Sequence, residues 1–153
     1  MVVLDDIRSL HNVGATFRTA DAAGFGHVYL CGITGRPPRK EISKVSLGAE
    51  EWLPFTYRVY LLEVLADLKK RGYTIVALER NENSRSLAAL LAERSLGCPL
   101  ALIVGNEVTG VSPEGLQLCD YVAHLNMRGR KESLNVSVAY GVAAYFLAEA
   151  LLP

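Results

Sequence analysis

Three short segments of the sequence carry polar side chains of the kinds that bind nucleotides and move protons. The first segment contains Asn12 and Arg18, the second contains Glu107, and the third contains Ser133 and Asn135. Each segment follows an apolar run that is typical of a β-strand covered on both faces. Because ligands of parallel α/β sheets bind at the carboxyl ends of the strands, we expect these side chains to meet at one edge of a sheet.

The glycines near these side chains do not form a common phosphate-binding loop. The segment GNEVTG spaces Gly105 and Gly110 like a Walker A loop, but Val-Ser follows where that loop has Lys-Ser or Lys-Thr. The segment after the first apolar run contains no G-x-G-x-x-G pattern. A P-loop is therefore excluded, and a dinucleotide-binding Rossmann site is not expected.

The segment HNVGATFRT is expected to begin a helix that presents Arg18. Asn12 is a favourable N-cap residue, and Gly14 would let another backbone approach closely. Gly14 and Arg18 are four residues apart, so they share one helix face. Ser133 and Asn135 are expected at the start of the last helix, where free backbone N–H groups attract anions.

Five apolar runs predict strands, and helical patterns separate them. The strands are expected at residues 2–6, 27–33, 73–79, 100–107 and 121–127. Helices are expected at residues 12–24, 60–72, 86–95 and 134–152, with a short helix beginning near Pro113. The alternation predicts an α/β fold, a mostly parallel sheet with helices on both faces, in one domain of residues 1–153. Residues 34–58 show no clear pattern.

Charge is balanced overall but clustered locally. The chain of 153 residues has 16 basic and 16 acidic side chains, so bulk charge does not favour a protein that coats nucleic acid. Nine basic residues nevertheless fall in three short regions, where they form either a local basic patch or solvated loops. These residues are Arg8, Arg18, Arg36, Arg39, Lys40, Lys44, Arg128, Arg130 and Lys131.

The sequence predicts no metal site, disulfide framework or membrane span. Cys31, Cys98 and Cys119 are odd in number and far apart, with no histidine at ligand spacing, so we expect small buried thiols. The first residues lack the pattern of a signal peptide. The apolar last segment carries serine, asparagine and glutamate, which favours a buried helix or a subunit contact. We expect a cytoplasmic protein.

The three polar segments, taken together, resemble a known family. HNVGATFRTADAAG, IVGNEVTGVSPE and LNMRGRKESLNVSVAYG are similar to the three ordered motifs of the SpoU (TrmH-like) RNA ribose 2′-O-methyltransferases of the SPOUT superfamily. The resemblance extends from about Leu4 to Leu147 and includes ISKVSLGAEEW. It implies a C-terminal trefoil knot, which ordinary connection rules do not predict. It also implies S-adenosylmethionine (SAM) as methyl donor, an RNA substrate, and a homodimer whose active site uses both subunits.

The resemblance also implies roles for individual residues. The catalytic set is Asn12, Arg18, Glu107, Ser133 and Asn135, with Arg18 as the central candidate. The cofactor set is Leu78, Gly105, Glu107, Leu125, Met127, Ser133 and Leu134. RNA phosphates are expected to meet Arg8, Arg36, Arg39, Arg128, Arg130 and Lys131. The sequence departs from the family at Asn126, where proline is common, and Asn126 is expected to loosen that loop.

Two chemical roles for Arg18 stay open. Arg18 either removes the proton of a ribose 2′-hydroxyl, activated by a substrate phosphate, or binds that phosphate and stabilises the developing oxyanion. An arginine is normally charged far above neutral pH, which keeps the second role open. His11 is a further candidate base, whereas His124 is expected to be a core residue.

Two other functional classes compete with the methyltransferase. A non-catalytic RNA-binding or ribosome-assembly factor is disfavoured because all five polar motif residues are present. A flavodoxin-like enzyme acting on small nucleotides lacks a phosphate loop. Among RNA substrates, tRNA is favoured over rRNA, because a bare domain suits a compact exposed loop. The sequence does not indicate the modified nucleotide or the need for a helper protein.

Overall fold

A seven-stranded sheet forms the centre of the molecule. The computed structural model describes residues 1–152, so the domain boundary expected at residue 153 lies outside the described residues. The strands are β1 (Val2–Asp5), β2 (Val28–Cys31), β3 (Phe55–Arg58), β4 (Thr74–Leu78), β5 (Arg85–Ser86), β6 (Leu100–Val104) and β7 (Tyr121–His124). Their order across the sheet is β3-β2-β1-β6-β4-β7-β5, and every neighbouring pair is parallel. The predicted parallel sheet is confirmed.

Helices cover both faces of this sheet, as predicted. They are α1 (Leu10–Ala22), α2 (Lys40–Ser46), α3 (Ala49–Trp52), α4 (Leu61–Lys70), α5 (Leu87–Ala92), α6 (Pro113–Leu118) and α7 (Val136–Leu151). The larger hydrophobic cluster joins α1, α2, α5 and α7 to one face. The smaller cluster joins α4 and the flank of α6 to the other face. Within residues 1–152, none of the helices combines the length and apolar character needed to cross a bilayer.

The unpatterned segment 34–58 contains elements that the sequence analysis missed. Strand β3 lies at the edge of the sheet, and none of its four side chains is buried, so it has no continuous apolar run. Helix α2 packs against α1 at Gly14, where an added Cβ atom would lie 2.5 Å from the Ile42 carbonyl oxygen. The close backbone approach predicted at Gly14 is therefore confirmed, and α2 occupies the space beside it.

Strand β6 is shorter than predicted because the chain folds back directly after it. The strand ends at Val104 instead of residue 107. Asn106 and Gly110 then pair through two backbone hydrogen bonds of 3.1 and 2.9 Å. Gly105 lies inside this fold-back, where an added Cβ atom would be 2.2 Å from both the Gly110 carbonyl carbon and the Val111 nitrogen. The tight loop sets the direction in which Glu107 leaves the sheet.

Candidate active site

A pocket of about 360 Å³ lies at the carboxyl ends of β4, β6 and β7. The strand-end rule for parallel sheets predicts a ligand site at this edge. The pocket wall contains every residue of the predicted cofactor set, namely Leu78, Gly105, Glu107, Leu125, Met127, Ser133 and Leu134. Asn135 of the catalytic set also lines it. Residues of the second and third motifs thus line one cavity, whereas Asn12 and Arg18 of the first motif do not line it.

Glu107 joins the second motif to the start of α1. Its carboxylate accepts hydrogen bonds from the Arg8 N–H at 2.9 Å, the Ser9 N–H at 3.0 Å and the Asn12 side-chain amide at 3.0 Å. Partial burial alone would raise the pKa of Glu107, but the hydrogen bonds from Arg8, Asn12 and Ser9 outweigh it and lower the pKa. Glu107 is therefore held as a carboxylate at neutral pH.

The expectation that Asn12 caps α1 is wrong. The N-cap residue is Ser9, whose hydroxyl oxygen accepts a hydrogen bond from the Asn12 N–H at 3.3 Å. Asn12 lies inside the helix and is only 5% exposed. Its side-chain NH₂ group donates to Glu107, and its carbonyl oxygen, the atom that a capping role would have needed, faces away from the start of α1.

A chain of amides extends from Glu107 to the third motif. Because a carboxylate only accepts hydrogen bonds, the Asn12 NH₂ group must face Glu107, and the Asn12 carbonyl oxygen faces the other way. That oxygen accepts a hydrogen bond from the Asn135 side-chain amide at 3.2 Å. The Asn135 carbonyl oxygen in turn caps α7 by accepting from the N–H groups of Ser137 and Val138. The three motifs are thus joined by side-chain hydrogen bonds at one edge of the sheet.

Several residues around this chain were not in the predicted site. The Ser137 hydroxyl lies 2.7 Å from the Asn135 carbonyl oxygen and 3.4 Å from that of Asn12. Glu79 accepts a hydrogen bond from the Val111 N–H at 3.1 Å, and the Asn106 amide donates to the Asp6 carbonyl oxygen at 2.8 Å. Ser137 stands two residues after a capping asparagine, and that position is the sequence signal by which it could have been found.

Ser133 and His124 both line the pocket, and they differ in exposure and hydrogen bonding. Ser133 is exposed on the pocket wall, and no hydrogen bond of its side chain is described within residues 1–152. The expectation that His124 is a core residue is wrong, because it is half-buried and lines the pocket. The Nδ1 atom of His124 lies 3.0 Å from the Ser84 hydroxyl.

Arg18 does not share the face of α1 that carries Asn12. The two residues are six positions apart in one helix, which places Arg18 about 9 Å along the axis and roughly 120° around it. Gly14, four residues before Arg18, faces α2 instead of the pocket. Arg18 is exposed. The geometry therefore directs Arg18 away from the pocket of its own chain.

The basic residues of the predicted RNA surface are all exposed. They are Arg8, Arg36, Arg39, Arg128, Arg130 and Lys131. Arg8 and Arg36 lie in the loops that follow β1 and β2, and Arg128, Arg130 and Lys131 lie between β7 and α7. All of these loops leave the carboxyl edge of the sheet. Their contact with RNA stays a prediction.

Comparison with known proteins gives an independent identification of the family. The model of the SpoU rRNA Methylase family matches residues 1–145. A tRNA (guanosine(18)-2′-O)-methyltransferase from Aquifex aeolicus is 32% identical over 146 residues, which are 95% of this chain and 66% of that protein. A 23S rRNA (guanosine-2′-O-)-methyltransferase RlmB from Pseudomonas aeruginosa is 34% identical over 145 residues, which are 95% of this chain and 56% of that protein.

Solved structures show the same fold. The AdoMet-bound rRNA methyltransferase from Sinorhizobium meliloti superposes with a TM-score of 0.87 at 27% identity, over 99% of this chain and 56% of that one. The chain spans 66% of the length of the Aquifex aeolicus relative and 56% of the length of the Pseudomonas aeruginosa relative. The match of the family model over nearly the whole chain shows that the chain belongs to the SpoU rRNA methylase family.

Proposed function

We propose that this protein is an RNA 2′-O-methyltransferase that transfers the methyl group of SAM to a ribose 2′-hydroxyl. The observation that carries the proposal is the hydrogen-bonded chain Glu107–Asn12–Asn135, which joins the three motifs beside the pocket. Relatives named as RNA methyltransferases support the same assignment. The pocket volume of about 360 Å³ falls within the usual range of small-molecule sites.

The residues of the pocket fit SAM as the methyl donor. Leu78, Leu125 and Leu134 provide apolar surface of the kind that an adenine ring needs. Gly105 lets the backbone of Gly110 and Val111 fold back closely beside the pocket. When bound, SAM supplies a methyl group on a cationic sulfur, which is already activated for transfer. The carboxylate of Glu107 adds a negative charge to the same cavity wall.

The protein's own residues would then align the ribose and promote the loss of its 2′-hydroxyl proton. Glu107 fixes Asn12, and Asn12 fixes Asn135, so the polar wall of the pocket is oriented before any ligand binds. Alignment of this kind supplies on the order of 7–11 kcal/mol in well-oriented reactions. Arg18 would bind the phosphate beside the target ribose. It would act there either as the base that takes the 2′-hydroxyl proton, or as the group that stabilises the developing oxyanion while the proton leaves by another route.

We propose that Arg18 acts in the pocket of a second copy of this chain. Arg18 is directed away from the pocket of its own chain, so a homodimer would bring the missing arginine. Helix α7 exposes apolar side chains that suit such a contact, and Gly141 of α7 lies beside Thr19 of α1. The exposed side chains are Val138, Val142, Tyr145 and Phe146. Dimer, knot and cytoplasmic location all stay predictions.

The proposal is tested by incubating the protein with isotope-labelled SAM and transcripts of tRNA or rRNA. We expect label in RNA and none in DNA of the same sequence, because only RNA carries the 2′-hydroxyl. We favour tRNA as the substrate over rRNA. Arg18→Ala should abolish transfer. Retained activity of Arg18→Lys with a shifted pH profile would favour the base role over the phosphate role. Binding of RNA without any transfer would instead favour the non-catalytic RNA-binding factor.

The shared site is tested by mixing two inactive variants. One variant is Arg18→Ala and the other is Asn135→Ala. If Arg18 acts in the partner's pocket, each mixed dimer has one intact site, and random exchange restores roughly a quarter of wild-type activity. If Arg18 acts in its own chain, mixing restores nothing. Light scattering of the wild-type protein reports separately whether it is a dimer.

A further inference from the structure

Arg36 is held over an aromatic ring next to the candidate active site. Its guanidinium carbon lies 4.3 Å from the centroid of the Tyr57 ring, within the range of a cation–π contact. The Tyr57 hydroxyl donates a hydrogen bond to the Gly32 carbonyl oxygen at 2.8 Å, which fixes the ring. Tyr57 is half-buried against the core, whereas Arg36 is exposed. One face of the guanidinium is therefore covered and the other faces solvent.

The Arg36–Tyr57 pair lies on the same edge of the sheet as the pocket. Asp5, Cys31 and Arg58 form one row across β1, β2 and β3, so the residues after them line that edge. Two inter-strand spacings separate β1 from β3, or about 10 Å. Gly35 packs directly on Leu10, where an added Cβ atom would lie 2.1 Å from the leucine Cδ2 atom.

Leu10 in turn connects this pair to the hydrogen-bonded chain of the site. It is the first residue of α1 and follows Ser9, whose N–H donates to Glu107 at 3.0 Å. The loop that carries Arg36 is therefore connected to Glu107 through Leu10 and Ser9. A strand of RNA with its target ribose at Glu107 would extend over Arg36 with a neighbouring nucleotide.

The surroundings of Arg36 are basic and partly apolar. Arg8, Arg36 and Arg58 are exposed, and none of them takes part in a salt bridge described within residues 1–152. The nearby carboxylate of Asp6 accepts a hydrogen bond from the Ile33 N–H at 2.8 Å. Tyr60 follows β3 on the same edge and is 64% exposed. Cationic groups beside flat apolar ones are typical of surfaces that bind single-stranded RNA.

We propose that the guanidinium of Arg36, held on Tyr57, is a stacking platform for an unpaired base next to the methylated nucleotide. Arg8 and Arg58 would contact the phosphates on either side of that base. The inference rests on the proposed function and deepens it, because it assigns Arg36 a contact with a base instead of a phosphate. It requires that the substrate presents the target in a single-stranded loop.

The test compares Arg36→Lys with the wild-type protein. The probe is a fluorescein-labelled RNA hairpin with an unpaired loop containing guanosine, and a set of hairpins each with one abasic loop nucleotide. Lysine keeps the positive charge but loses the flat guanidinium. We expect Arg36→Lys to weaken binding of the intact hairpin about 5- to 150-fold, the range for loss of one stacked base. The salt dependence of binding should not change, because the charge is kept.

The abasic hairpins identify the base that stacks on Arg36. One abasic position should weaken binding by the wild-type protein by a similar factor, and the same position should have no further effect on Arg36→Lys. The matched control is Arg71→Lys, since Arg71 lies 5.2 Å from the centroid of the Tyr73 ring and precedes β4, at the opposite edge of the sheet. We expect this control to bind the hairpins as the wild type does. Thermal melting checks that both variants fold.

Three results would overturn the platform. They are wild-type affinity of Arg36→Lys, full additivity of the abasic and lysine effects, and failure of the wild-type protein to bind any hairpin loop. Methyl transfer to intact transcripts is measured in parallel with labelled SAM. Transfer that persists while the platform fails leaves the proposed function standing, whereas absence of transfer to every RNA overturns the proposed function itself.

Discussion

Replacement of Gly105 by alanine is expected to disable the pocket through a single added methyl group. The new Cβ atom would lie 2.2 Å from the Gly110 carbonyl carbon and the Val111 nitrogen, and 2.5 Å from the Gly110 oxygen. Ordinary contact begins near 3.4 Å, so the loop must move by about 1.2 Å. These are backbone atoms and cannot rotate away as a flexible side chain would. Gly105 has no positive φ, so the penalty comes from this contact alone.

The displaced loop carries both Glu107 and the Val111 N–H that Glu79 binds. Forcing an extra methyl group into such a contact typically costs about 1–3 kcal/mol of unfolding free energy. A misplacement of about 1 Å also reduces catalytic rates by on the order of 10²-fold. We therefore expect Gly105→Ala to lower the melting temperature, to weaken SAM binding and to remove most methyl transfer.

The measurements are thermal melting and isothermal titration with SAM. Gly129→Ala is the matched control, since Gly129 lies in the loop before α7 and an added Cβ atom there meets nothing within 4 Å. The control should behave as the wild type does. If Gly105→Ala melts and binds SAM like the wild-type protein, the tight fold-back after β6 does not shape the site.

Three further predictions concern burial and charge. The Tyr140 hydroxyl is buried and has no hydrogen-bond partner described within residues 1–152. Tyr140→Phe removes this unsatisfied group and should keep or raise the melting temperature, whereas Tyr60→Phe, at an exposed tyrosine, should leave the melting temperature unchanged. Burial raises the pKa of the Cys31 thiol to about 12, whereas Cys98 is exposed, so the expectation of a buried thiol is wrong for Cys98. A thiol reagent should therefore label Cys98 at once and Cys31 only after unfolding, and equal labelling rates would contradict the core position of Cys31. The pKa of Glu107 is lowered in the folded protein, so its hydrogen bonds stabilise the fold above the ordinary glutamate pKa. This stabilisation is lost as the pH falls through the pKa of the folded state. The difference in unfolding free energy between the wild type and Glu107→Gln should therefore shrink in acid, as measured by urea unfolding at several pH values.

The buried centre of the fold was predictable from the sequence, and its edge was not. Strands β1, β4 and β6 each contain a continuous apolar run because both faces of the sheet are covered there, so they are easy to recognise. Strand β3 lies at the sheet edge with half-exposed or exposed side chains, and its pattern resembles a loop. The resemblance to the family supplied the cofactor set, and its members line one pocket because residues after parallel strands meet at one edge.

Side-chain partners depended on three-dimensional contacts that spacing does not encode. Both Ser9 and Asn12 are good caps for α1, and only the position of Glu107 shows that Asn12 is used elsewhere. The orientation of Arg18 likewise depends on α2, which occupies the space beside Gly14. The resemblance to the family identified the residues that matter, and the structure showed which of them touch.

Mass spectrometry of nucleosides tests the central claim most directly. RNA transcripts incubated with the protein and isotope-labelled SAM are digested to nucleosides, and the position of the label on base or ribose is read. We predict a labelled 2′-O-methyl nucleoside that disappears with Arg18→Ala. Label on a base, or a protein that binds no SAM, would contradict the assignment of this site to ribose methylation.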